Sequence, residues 1–337
     1  MNFRRGQYLL ITVLVLCFSN AYGEEQSNVD KARDALAKQS DDEDSTRQLE
    51  EVFQAAEKNY SLMKAGGKSL SYSFGYSYTS DSRIDLEVVN RTVRNLDVAG
   101  NSTHSFTNSF SFDYGILNNL TINARLPLSS RYDSQRSISA TEWGDVSVGL
   151  RWQPFAYVPG KASVTVSSTL GTKTGVSPYE IDTSRRLSSG SGAYSLSTGL
   201  SMSKVLDPVV LFSSLNSSYT FEQNGLNQVR NGAVLKTVQG GQSFSFSGGF
   251  SYSLSYDTSL SISTQVGYST GTKLIFGSGA GEVSSPDSMN GSMNFSLGIR
   301  INPTTIVNAS FGFGLTEDAS DFNMGLSYPI NIGAWTW

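Results

Sequence analysis

From Lys68 onward the chain alternates between large apolar and small neutral residues with a period of two, and no other feature limits its fold so strongly. Leu70, Tyr72, Phe74, Tyr76 and Tyr78 alternate with Ser71, Ser73, Gly75 and Ser77. Phe244, Phe246, Phe250, Tyr252 and Leu254 alternate with Ser243, Ser245, Ser247, Gly249 and Ser251. A period of two sends the two sets to opposite faces of an extended strand. In a soluble sandwich the polar face would meet bulk water and carry Lys, Glu and Thr. Here it is almost entirely Ser, Gly, Thr and Asn, which suits a concave, crowded interior. Charged residues make up 16% of the chain, against about 25% in soluble domains. These features together predict an all-β fold, a transmembrane antiparallel β-barrel with lipid outside and a polar lumen inside.

Twelve alternating segments begin near residues 68, 104, 119, 143, 162, 193, 208, 243, 258, 291, 305 and 321. Short connectors near 117–119, 155–160, 206–208, 256–258 and 302–304 alternate with longer ones near 89–102, 129–141, 171–191, 223–241 and 271–289, and a final short one lies near 316–320. Outer-membrane barrels have short periplasmic turns and long outer loops, and an even strand count returns the C-terminus to the periplasmic side. In this threading Tyr114, Trp152, Tyr256 and Tyr328 form a periplasmic aromatic belt on the lipid face. Tyr78, Tyr194, Tyr219 and Tyr268 form an outer belt, as amphipathic rings do at interfaces. The barrel is assigned to 68–337. Near its end the apolar register of Phe322, Met324, Leu326, Tyr328 and Ile330 is out of phase with Trp335 and Trp337.

Residues 1–23 read as a signal peptide: Arg4 and Arg5, an apolar Tyr8–Phe18, then Ala21-Tyr22-Gly23 as a small-x-small cleavage site. Cys17 lies in that leader, so the mature chain has no thiol chemistry. Residues 24–44 form an acidic periplasmic segment that ends in Asp41, Asp42, Glu43 and Asp44. Residues 45–65 are predicted as an amphipathic helix. Ser45 with Gln48 resembles a capping box, and Leu49, Phe53, Ala56, Tyr60 and Met63 form an a/d seam. Gly66 and Gly67 end it as a hinge. The seam must bury against something, and three readings stay open: a rim element, a plug in the lumen, or a coiled coil joining protomers.

Nothing in the chain assembles a catalytic site, so an enzyme is not expected. The single histidine, His104, lacks a motif placing it beside a nucleophile. One His and no mature Cys argue against a transition-metal site, and no cofactor is expected. A net charge of −4 argues against nucleic acid as a partner. On the polar face stand Asp113, Arg125, Asp145, Arg151 and Arg300. They fit an internal ion-pair network, and equally a docking site for the acidic segment or a charge filter for solutes.

The stretch Trp143-Gly144-Asp145-Val146-Ser147-Val148-Gly149-Leu150-Arg151-Trp152 resembles a strand common in the barrels known as phenol-degradation meta-pathway transporters. Gly325-Leu326-Ser327-Tyr328-Pro329-Ile330 is similar to that family's closing strand. With the acidic, heptad-bearing preface, the chain resembles the Fap-type functional-amyloid secretion channels of that group. That resemblance implies a periplasmic coiled coil, a helical plug and export of amyloid subunits. The expected function is therefore an outer-membrane channel gated by its N-terminal helix and exporting polypeptide. The alternative is a passive, porin-like transporter for small, aromatic or hydrophobic solutes. Expected partners are outer-membrane lipid and lipopolysaccharide, the barrel assembly machinery, the transported polypeptide or solute, and, in the coiled-coil reading, two further copies in a trimer.

Overall fold

The computed structural model describes residues 62–332, except 90, 91, 159, 184, 207, 231, 232, 256, 278–280, 303 and 304; over 81–101 it defines the backbone pairing. The signal peptide, the acidic segment, the seam residues Leu49, Phe53, Ala56 and Tyr60, and the terminal Trp335 and Trp337 lie outside the described residues.

The described strands are β1 (Lys68–Val89), β2 (Thr92–Leu117), β3 (Leu120–Asp133), β4 (Ile138–Trp143), β5 (Ser147–Trp152), β6 (Ser163–Gly171), β7 (Ser195–Leu206), β8 (Val209–Thr220), β9 (Gln223–Arg230), β10 (Ala233–Gln239), β11 (Gln242–Ser255), β12 (Thr258–Ser269), β13 (Lys273–Phe276), β14 (Glu282–Ser284), β15 (Ser288–Asn302), β16 (Thr305–Gly314) and β17 (Phe322–Ile330). Each barrel strand pairs antiparallel with its neighbours. The ring closes where β1 meets β17, from Leu70 opposite Ile330 to Tyr78 opposite Phe322. With β4 and β5 as two halves of one stave, the closed barrel has twelve strands.

The pleat explains the closure. Phe110, Leu126, Leu150, Leu200, Leu215, Phe250, Phe311 and Leu326 are all exposed, one parity on strand after strand. The opposite parity holds Ser71, Ser109, Thr121, Thr165, Ser201, Ser251 and Ser261, all buried. Such a molecule is inside out. Its large apolar side chains form a continuous outer band, far beyond the few hundred Å² a soluble monomer exposes, and its interior is lined with hydroxyls. Lipid is the only solvent for that outer face, and closure removes the unpaired strand edges that lipid could not satisfy. The short turns gather at the end carrying Lys68 and Ile330, the periplasmic end by the usual asymmetry of such barrels. Tyr114, Trp152 and Tyr328 lie exposed near this end, and Tyr194, Tyr219 and Tyr268 near the other.

The outer end departs from the sequence-based expectation in four ways. β1 and β2 continue as one hairpin through residues expected to form a loop, with Ser80 opposite Ser102 and Leu86 opposite Leu96. The expected loop at 129–141 holds the end of β3 and the start of β4. The expected loops at 223–241 and 271–289 contain β9, β10, β13 and β14, which form a second, four-stranded sheet. Leu226, Leu235 and Val238 are its core, with Tyr179, Leu274 and Phe276 packed against them. The fourth stave is interrupted at 144–146, between β4 and β5.

Candidate functional site: the barrel lumen

The lumen face of β3 carries Thr121, Asn123, Arg125, Pro127, Ser129, Arg131 and Asp133; Thr121, Ser129 and Asp133 of this parity are buried. On one side, β2 places Asp113 opposite Asn123 and Ser111 opposite Arg125. On the other, β5 places Arg151 opposite Thr121 and Ser147 opposite Arg125. The Arg151 guanidinium reaches past β3 to form an ion pair with Asp113, whose two side chains are 10% and 15% exposed. Two of the predicted lumen charges thus meet inside the periplasmic mouth. Arg300 stands on the lumen face near the β15–β16 turn, its backbone N–H donating to Asp257 O at 2.8 Å. Arg125 pairs with no carboxylate among the described residues.

Asp145 is not one of the strand-face charges. It occupies the break between β4 and β5, where its carboxylate accepts from Gly175 N at 2.8 Å, Ser191 N at 2.6 Å and Ser191 Oγ at 2.7 Å. It therefore ties the 172–194 loop to the interrupted stave. Thr174 Oγ1 accepts from Val146 N at 2.8 Å, and Ser189 Oγ donates to Trp143 O at 2.7 Å. The Gly-Asp-Val motif works here as a chain break whose orphaned backbone groups are satisfied by a loop.

Residues 62–67 lie over the turn between β2 and β3. Met63 N–H donates to Thr121 Oγ1 at 2.8 Å and Ala65 N–H to Asn118 Oδ1 at 3.0 Å. Gly66 N–H donates to Gly115 O at 2.8 Å, and Gly115 N–H returns a bond to Gly67 O at 3.0 Å. Gly66 has a positive φ of 77°, the conformation glycine adopts without a steric cost. Met63, the last seam residue, is thereby fastened to a lumen-facing threonine.

The wall on the far side of the lumen from β3 is neutral. A cavity of about 420 Å³ is lined by Ser73, Phe74, Phe212, Ser214, Ser247, Ser261, Ser263, Gln265, Asn294, Ser296, Asn308, Ser310, Gly325, Leu326 and Ser327. Among its residues of lumen parity Phe212 is the apolar exception, packed with Val210 and Val205. The Oγ atoms of Ser251, Ser259 and Ser261 are buried without a protein partner. His104 belongs to the lipid face instead: its ring lies 5.1 Å from that of Tyr78 and 6.0 Å from that of Tyr132, with Nδ1 3.0 Å from Tyr76 Oη.

Three lumen features escaped the sequence reading. Arg131 and Asp133 fell within an expected loop at 129–141, although they continue the parity that begins at Thr121. Phe212 breaks the rule that apolar residues face lipid. Asp133 is engaged by Arg136 at 2.6 and 3.0 Å.

No family model matches the chain. Among solved structures, the COG4313 outer membrane channel from Pseudomonas putida F1 matches at a TM-score of 0.64 and 12% identity, over 80% of this chain and 97% of that one. The Pseudomonas putida toluene transporter TodX matches at a TM-score of 0.40 and 11% identity, over 81% and 91%. The KdgM porin matches at 0.40 and 10%, over 77% and 99%. The first shares this chain's fold, and the chain forms a barrel of the bacterial outer membrane.

Proposed function

We propose that this protein is a passive channel of the outer membrane for small polar solutes, with residues 62–67 narrowing its periplasmic mouth. The observation that carries this reading is the lumen cavity of about 420 Å³, lined mostly by hydroxyl and carboxamide groups from seven adjacent staves, β8, β11, β12, β15, β16, β17 and β1. Small-molecule sites occupy about 300–1,000 Å³, and neutral hydroxyls exchange hydrogen bonds with a passing solute without binding it tightly. The likeness to a channel of the same fold supports the reading. This lumen suits polar solutes better than the hydrophobic ones expected from sequence. Export of polypeptide rested on the acidic preface, whose seam lies outside the described residues except for Met63, and no lumen feature favours it. In this reading the preface is a plug anchored through Met63 rather than a coiled coil.

Proteoliposome swelling with the full chain tests the proposal. A pentose should enter faster than a disaccharide, and a large dextran should not enter. Absence of swelling with every solute would sink it.

A further inference from the structure

We infer that the channel selects small hydroxylated anions, with Arg125 and Arg131 as the residues that contact the anion. This inference rests on the channel reading and adds the charge and chemical class of the solute.

The lumen's charges do not cancel. Asp113 is held by Arg151, Asp133 by Arg136 and Glu142, opposite Ser129 on β4, by Arg186 at 2.7 Å, while Asp145 accepts from backbone and hydroxyl donors of the 172–194 loop. Arg125 and Arg131 have no hydrogen bond or ion pair among the described residues, and Arg131 Nε is buried without a partner. Their cross-strand neighbours are neutral: Ser111 and Ser147 flank Arg125, and Ser105 and Ala140 flank Arg131. The two guanidinium groups share one face of one strand, about 20 Å apart along it. They form a two-step positive track from the outer part of the lumen toward its middle. A fixed charge in a narrow, low-dielectric tube acts more strongly than the same charge in bulk water. Arginine also keeps its charge at every physiological pH.

The wall facing this track has the complementary chemistry. In the ring of twelve staves, β12 is diametrically opposite β3. It presents Ser261, Ser263 and Gln265 to the cavity, flanked by Asn294 and Ser296 on β15 and Ser247 on β11. That wall carries hydroxyls and carboxamides and no carboxylate to repel an anion. The ladder row Ser73–Ser109–Pro127 joins the cavity lining to β3, one lumen-facing position from Arg125. A solute with a carboxylate at one end and hydroxyls along its length would pair with guanidinium on one side and hydrogen-bond on the other. Sugar acids are such solutes.

Planar-bilayer recordings of the full chain across a KCl gradient test the inference. The expected zero-current potential reports chloride preferred over potassium by at least about threefold, and the R125Q/R131Q double variant should lose that preference. D-gluconate should interrupt the chloride current at concentrations at least about tenfold lower than D-glucose or benzoate require, and the double variant should lose this difference. R125K/R131K keeps the charges and should stay anion-selective, which separates lost charge from lost folding. A conducting wild type without anion preference would overturn the inference and leave the channel standing. So would a preference unchanged in the folded R125Q/R131Q variant. Benzoate acting as strongly as gluconate would overturn the hydroxylated class. A chain that conducts nothing would overturn the channel reading as well.

Discussion

Asn123 and Gly149 stand directly opposite one another on the lumen face of β3 and β5, and the carboxamide of the first lies over the second. A Cβ on residue 149 would sit 2.6 Å from Asn123 Oδ1 and 2.8 Å from Thr169 Oγ1. The arrangement recurs at Asn216 and Gly199, Asn290 and Gly267, and Asn294 and Gly312, each pair in register on adjacent strands. Glycine leaves the amide room to lie against the wall, so these lumen asparagines are held sideways. G149A and G199A should each destabilise the barrel by about 1–3 kcal/mol through overpacking, read as a lower unfolding midpoint in urea. Gly75, on the same lumen face, has nothing nearer its virtual Cβ than 3.8 Å, so G75A is the control and should change little. Equal effects at the three sites would refute the packing argument.

The Asp113–Arg151 pair is nearly buried, so neutralising Asp113 takes the counter-charge of this ion pair from a guanidinium that water barely reaches. D113N should cost about 3 kcal/mol. The D113N/R151Q double variant should cost less than the sum of the single changes, because it removes both charges of the pair together. Urea unfolding followed by tryptophan fluorescence, run as a double-mutant cycle, measures the coupling. Additive single effects would mean that the pair contributes nothing beyond its separate side chains.

Gly115 lies directly beneath the Lys64 carbonyl, and a Cβ there would also come within 2.8 Å of Met63 O. G115A should lift residues 62–67 off the β2–β3 turn and speed liposome swelling. T121V removes the acceptor of the Met63 N–H and should act in the same direction, more weakly. Swelling rates unchanged in both variants would show that this segment does not narrow the mouth.

Asp287, in the outer loop before β15, accepts from Tyr268 Oη and from Gly271 N at 2.8 Å. The Tyr268 hydroxyl and then the Gly271 amide hold its carboxyl below the usual range. Because the folded value is the lower one, the contribution to loop order is complete above the ordinary Asp value of about 3.9. It is lost as pH falls through the folded value. A pH titration of the Gly271 amide shift by NMR should therefore give a midpoint below 3.9, and D287N should abolish the transition. A midpoint at or above that value would contradict the hydrogen-bond geometry.

Strand number and orientation were legible because each barrel strand has its own period-two pattern, and eleven of the twelve expected starts fall within five residues of the observed ones. The exception is β2, which begins at Thr92 rather than near residue 104. The alternation of Ile84, Leu86 and Val88 with Asp85 and Glu87 continues there, but with a charged polar set unlike a lumen face. The outer sheet was illegible for a different reason. Gln223–Arg230 carries no clear alternation, and its strands are stabilised by pairing between two loops, Leu235 opposite Phe276 among others.

The sequence by itself determined that the strands have one lipid face and one polar face, that there are twelve of them, and that the chain closes, because a side-chain period is a local property. Only the tertiary structure decided which lumen charges cancel. Asp113 and Arg151 are far apart in the chain and sit on strands that are not neighbours, and their meeting requires the β2–β3 and β3–β5 registers together. The same two registers surround Arg125 with serines and leave its charge to the lumen. Ion pairing depends on distances of a few ångströms set by register and closure, and these are not encoded in any local run of residues.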